Sequence, residues 1–136
     1  MSGLIWNKEV YSVCVKEIDK QHERLIDLIN KLHAAMKEGK SKAILEEILE
    51  EMTSYAKYHF CTEEHYFCKF NYQEKEAHIA EHKAFTEKVE SFKKDFEAGN
   101  KNLTIEVFRF LNDWLDKHIR HSDKKYSPCF LQNGLE

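Results

Sequence analysis

The chain has 136 residues, 33% of them charged, with one proline (Pro128), few glycines and a formal charge of −3. That length suits one domain, residues 1–136, with a full hydrophobic core, and the composition favours long helices with wet outer faces. Lys93-Lys94 and Lys124-Lys125 are isolated basic pairs, so no nucleic-acid stripe is present.

No secretory leader is recognisable and no apolar run is long enough to span a bilayer. Neither nucleic acid nor a membrane is therefore expected as a partner, and a cytoplasmic location is expected. The four cysteines (Cys14, Cys61, Cys68, Cys129) have no CxxC spacing. They are expected as reduced thiols, buried or half-buried.

Residues 1–17 lack helical periodicity; Ile5, Trp6, Val10, Tyr11, Val13 and Val15 suit an extended arm laid on a helical core. From Ile18 the apolar residues take helical spacing: Ile18, Leu25, Ile29, Leu32 and Met36, with His22 on the same stripe and His33 one position off it, facing solvent. Gly39-Lys40-Ser41 supplies a stop and a cap. A second stripe runs Ile44, Ile48, Met52, Tyr55, His59, Glu63, Phe67 in steps of four and three. His59 and Glu63 thus continue the core line, whereas Glu64 and His65 are expected to be solvated.

Phe70-Asn71-Tyr72 is the next turn. The third stripe is His78, His82, Phe85, Val89, Phe92, Phe96. After the loop Gly99–Asn102, the last helix turns Ile105, Phe108, Leu111, Trp114 and Leu115 inward, with His118 on the same side. Asp123 lies five residues further on, about 140° away on an ideal helix, so it joins His118 only if the helix widens or unwinds there.

Four amphipathic helices, at about 18–38, 42–67, 74–98 and 103–121, with short connections predict an all-α, up-down-up-down four-helix bundle. An N-terminal extended arm and a short C-terminal tail complete it.

Five inward histidines (His22, His59, His78, His82, His118) and the carboxylates Glu63 and Asp123 then share one core. A buried carboxylate must be paired or metal-bound, and each buried imidazole needs a partner of its own. Histidine with carboxylate suits a transition metal rather than calcium or magnesium. Seven donors exceed what one ion takes, so two ions are implied. No cysteine lies on the donor stripes, as structural zinc would usually require, and nitrogen-rich octahedral sites suit iron. If both carboxylates and one solvent oxygen bridge two octahedral ions, about one position stays open for a small diatomic ligand.

The order DKQH, HFxxEE, HxxxH, WLxxHIxxxD, with the IW…YSV arm and YSPC tail, resembles the hemerythrin family, in particular its bacterial single-domain members. The resemblance covers nearly the whole chain. It implies a non-haem di-iron centre bridged by oxo or hydroxo, with His78, His82 and His118 on one iron and His22 and His59 on the other. Glu63 and Asp123 would bridge the pair, and dioxygen would bind reversibly at the two-histidine iron. Leu115 matches the family residue beside the bound oxygen, and Phe60 and Trp114 are further expected lining. Cys14 and Asn71 stand where glycine is common in the family, and Phe67 where methionine is.

The function so implied is oxygen storage, delivery or sensing by a non-enzymatic monomer, with an oxygen-consuming enzyme or a reductase as a possible partner. The alternatives are a di-iron enzyme reducing O2, peroxide or nitric oxide, and an oxygen-sensing module of a larger receptor. The initiator-like start and the closing tail speak against the last.

Overall fold

A computed structural model of the chain describes residues 11–39, 41–100 and 102–135. Residues 1–10, which hold most of the expected arm, lie outside them. Four helices form the bundle: α1 (Lys16–Lys37), α2 (Ser41–Lys69), α3 (Lys75–Glu97) and α4 (Leu103–Trp114). α1 packs on α2, α2 on α3, and α4 closes the ring against α1 and α3. α4 continues through a π-helical segment, Leu115–Ser122, into α5 (Asp123–Gln132). No described residue is in a strand.

The start of the bundle is fixed by a carboxylate in the first turn of α1. Asp19 accepts the Val13 backbone N–H at 2.9 Å and the Ser12 hydroxyl at 2.5 Å, placing negative charge at the helix's positive end. The chain turns at Cys14, whose φ is 64°, and drives Val13 and Val15 into the interior. A left-handed non-glycine residue costs about 1–2 kcal/mol. Asn71 in the α2–α3 turn is also left-handed, with φ 51°. The two sites where the family resemblance points to glycine are therefore sites where the backbone needs it; asparagine tolerates the geometry better than cysteine.

Two apolar clusters fill the bundle. The larger contains Leu25, Ile29, Leu32, Ile48, Met52, Tyr55, Phe85, Val89, Phe92 and Leu111. The smaller joins Val13, Val15 and Ile18 to Phe67, Tyr72, Tyr126 and Phe130. Between them lies a polar layer built from the side chains of five helical elements.

Several expectations are corrected. Ile105 is 46% exposed, because α4 turns Leu103, Val107, Leu111 and Trp114 inward instead, a four-four-three stripe that leaves Ile105 on the other side. His33 is half-buried, stacked on Phe108 at 5.7 Å. The cysteines are free, but Cys14, Cys61 and Cys68 are exposed and only Cys129 is half-buried. The tail expected after His121 is helical through Gln132. Pro128 sits on its exposed side, where a missing backbone donor costs least.

Replacing Leu111 with alanine should lower the unfolding free energy by about 2–5 kcal/mol, whereas Ile105→Ala should change it by no more than about 0.5 kcal/mol. Urea denaturation of both variants checks which face of α4 is the packed one.

Candidate metal centre

The seven expected donors meet in the polar layer. His22 comes from α1, His59 and Glu63 from α2, His78 and His82 from α3, His118 from the π-helical segment and Asp123 from the start of α5. All seven are 0–3% exposed. Pairs four apart on α2 and α3 stack their side chains on one face, one turn above the other. His118 and Asp123, five apart, reach the same place because the backbone between them is π-helical. Bonding from i to i+5 widens the turn and swings residues five apart toward one side.

The donors fall into two overlapping groups. Glu63, His78, His82, His118 and Asp123 offer one atom each within 4.8 Å of one another, and so do His22, His59, Glu63 and Asp123. Glu63 and Asp123 belong to both. The Asp123 carboxylate spans them, with Oδ2 2.8 Å from His22 Nε2 and Oδ1 2.8 Å from His78 Nε2 and 2.9 Å from His118 Nε2. Glu63 Oε1 lies 3.3 Å from His59 Nε2 and 2.9 Å from His82 Nε2. Close as they are, Nε2 of His78, His82 and His118, Glu63 Oε1 and both Asp123 oxygens have no aligned hydrogen-bond partner. Buried polar atoms that crowd together without bonding each other are aimed at shared points between them. That pattern fits two metal ions bridged by two carboxylates.

The outer edges of three imidazoles are anchored. His82 Nδ1–H donates to Glu64 at 2.9 Å and His118 Nδ1–H to Glu81 at 2.9 Å. His59 Nδ1–H donates to the Gln21 side-chain carbonyl at 2.5 Å, and the Gln21 amide donates in turn to Thr62. A donor proton on Nδ1 leaves the Nε2 lone pair free to face a metal. The Ser122 hydroxyl also donates to Glu81, at 2.8 Å, tying the end of the π-helical segment to α3. The Tyr126 hydroxyl donates to Glu63 Oε2.

Electrostatics show the strain of seven such groups in one place. Burial, and then the charge of Asp123, push the Glu63 carboxyl up to about 8. Burial pushes Asp123 the same way, but the charge of His118 and the close approach of His118, His22 and His78 outweigh it and hold Asp123 well below the usual range. His118 answers to the same pairing: burial opposes its charge, yet Asp123 and Glu81 raise it to about 10. Burial lowers His82 to about 4, and burial with His22 nearby holds His59 well below its ordinary value. Divalent cations would neutralise the facing carboxylates without charging the imidazoles.

Aromatic rings clad the layer. Phe60 lies flat on His82, with centroids 3.9 Å apart, and Trp114 lies flat on His118 at 3.9 Å. Phe67 meets His78 edge-on at 4.8 Å. Leu115 is buried beside Trp114 in the larger cluster. A cavity of about 450 Å³ opens between α2 and α3 and reaches Phe60 and His82.

Glu64, expected in solvent, is instead a partner of His82 and is half-buried; it reaches across to α3 from the position next to Glu63. His65 is exposed as expected. Gln21, Glu81, Ser122 and Tyr126 carry roles that periodicity could not reveal, because each partner lies on another helix or outside the inward stripe. The only sequence signal is adjacency: Gln21 precedes His22, Glu64 follows Glu63, and Glu81 precedes His82.

Residues 14–130 match the family model of the hemerythrin HHE cation binding domain. The chain is 34% identical over 126 residues to a bacteriohemerythrin of Pseudomonas aeruginosa, covering 93% of this chain and 80% of that one. It is 33% identical over 129 residues to a bacteriohemerythrin of Methylococcus capsulatus, covering 95% and 98%. A solved structure of wild-type hemerythrin superposes with a TM-score of 0.84 at 31% identity, over 94% of this chain and 98% of that one.

His82→Ala should lower the metal content per chain, measured by elemental analysis of purified protein. Glu64→Gln and Glu81→Gln should keep the fold and weaken metal retention about 10–100-fold in competition with a chelator. Wild-type retention in both glutamine variants would show that these carboxylates do not orient the imidazoles.

Proposed function

The chain belongs to the hemerythrin family, and on that premise we propose that it binds dioxygen reversibly at a pair of irons held by the seven buried donors. In this reading His78, His82 and His118 hold one iron, His22 and His59 hold the other, and Glu63 and Asp123 bridge them. The observation that carries it is the inequality of the two donor groups, five atoms against four. The five-donor group would come closer to filling its ion's coordination, and the group of His22 and His59, one donor short, would leave room for an exogenous ligand.

An iron pair, when bound, supplies two electrons to dioxygen and takes them back on release. The rest is the work of the protein. As metal ligands, five imidazoles would be neutral, and with only two carboxylates they would favour the reduced pair, whereas oxygen-activating di-iron bundles use mostly glutamate. Donors that are 0–3% exposed, clad by Phe60, Phe67, Trp114 and Leu115, exclude the water that would promote irreversible oxidation. Glu64, Glu81 and Gln21 hold three imidazoles by their outer nitrogens, so the donor set keeps its geometry through a cycle. The Tyr126 hydroxyl holds one oxygen of Glu63 and leaves the other to the metal side.

Carriage for storage, delivery or sensing is favoured over turnover. Among the described residues no helix is long and apolar enough to cross a membrane.

The protein should carry iron near two per chain, one for each donor group. Its visible spectrum, recorded on the reduced form, should change on addition of oxygen and return on deoxygenation. Sustained oxygen consumption with a reductant, without recovery of the starting spectrum, would place it among the oxygen-reducing enzymes instead.

A further inference from the structure

One buried polar group at the centre has no task in the reading above. Tyr55 stands one turn before His59 on α2, is 1% exposed, and stacks on the His59 ring with centroids 5.1 Å apart and planes 19° apart. Phe60 and Phe85 meet it edge-on, each at 6.2 Å. Its hydroxyl is fully buried and has no hydrogen-bond partner. Packing does not explain that oxygen, since phenylalanine would fill the space without an orphaned polar atom.

The two sides of the centre are clad differently. Phe60 and Trp114 lie on His82 and His118, both of the five-donor group. Tyr55 lies on His59, in the four-donor group. The indole N–H of Trp114 is also buried without an aligned partner.

We propose that the Tyr55 hydroxyl is the hydrogen-bond donor to the exogenous ligand on the His22–His59 side of the centre, selecting small ligands whose outer atom accepts a hydrogen bond. This rests on the reading of the centre as a metal pair with one open position. A hydroxyl both donates and accepts. Held by ring stacking and left unbonded inside the protein, it is set in place before the ligand arrives, so no side-chain ordering is required on binding. A ligand with an accepting outer atom satisfies it, and one without leaves it orphaned.

The test is Tyr55→Phe, which keeps the ring and its stacking, in the full iron-loaded chain, with azide as probe and visible absorption as readout. Azide affinity should fall about tenfold or more relative to wild type, the loss of one hydrogen bond to an anion. In metal-free protein the same variant should melt at or above the wild-type temperature, because the hydroxyl bonds nothing there. Equal azide affinity in variant and wild type, both iron-loaded, overturns this assignment and leaves the metal-pair reading standing. A lower melting temperature of the metal-free variant overturns it too, since the hydroxyl would then serve the protein. If wild-type protein takes up no iron or gives no azide-dependent band, the metal-pair reading fails and this assignment falls with it.

Discussion

Five imidazoles and two carboxylates withdrawn from water into one layer are the constraint around which this bundle is arranged. Burial and the charges of close neighbours pull several of them in opposite directions. One carboxyl, Glu63, is pushed up to about 8 while the other, Asp123, is held down by charge on His118. Buried donors left without an aligned hydrogen-bond partner, as most of these inward atoms are, are tolerated in a core only where something else completes them. The two points on which they converge are where cations would do so.

The rest of the architecture holds those atoms still. The larger apolar cluster closes one side of the layer and the smaller, with the arm residues Val13 and Val15, closes the other. Flat aromatic contacts on His59, His82 and His118 fix ring planes, and Gln21, Glu64 and Glu81 fix which ring nitrogen faces inward. Glu64 and Glu81 lie at the edge of the layer, about 36% and 42% exposed in their side chains. They orient buried rings while keeping much of their own hydration, which lowers the desolvation penalty of charged partners.

The π-helical segment decides how the two halves of the centre share their carboxylates. A regular α-helix would point Asp123 well away from His118. The wider turn lets one aspartate face His22 through one oxygen and His78 and His118 through the other. Both donor groups gain Asp123 by that placement, and their inequality, five against four, is that of three histidines against two. Such single-turn bulges concentrate at functional sites because they place side chains that α-geometry keeps apart.

Much of this was legible in the sequence. Helical periodicity put His22, His59, Glu63, His78, His82 and His118 on inward stripes, and the five-residue gap to Asp123 required a local widening that the backbone supplies. Periodicity works there because each donor shares a helix face with core residues, and that face is set locally, 3.6 residues to the turn. It misplaced Ile105, where two apolar stripes compete on one helix and only packing against α1 and α3 selects between them. It left Glu64 in solvent and missed Glu81 and Gln21, since a residue beside the inward stripe looks solvated until a neighbouring helix brings a histidine to it. The sequence alone determined which residue types face the core and hence the donor chemistry. Tertiary packing decided which nitrogen each imidazole presents and which carboxylates steady it, because these depend on contacts between helices that no single helix encodes.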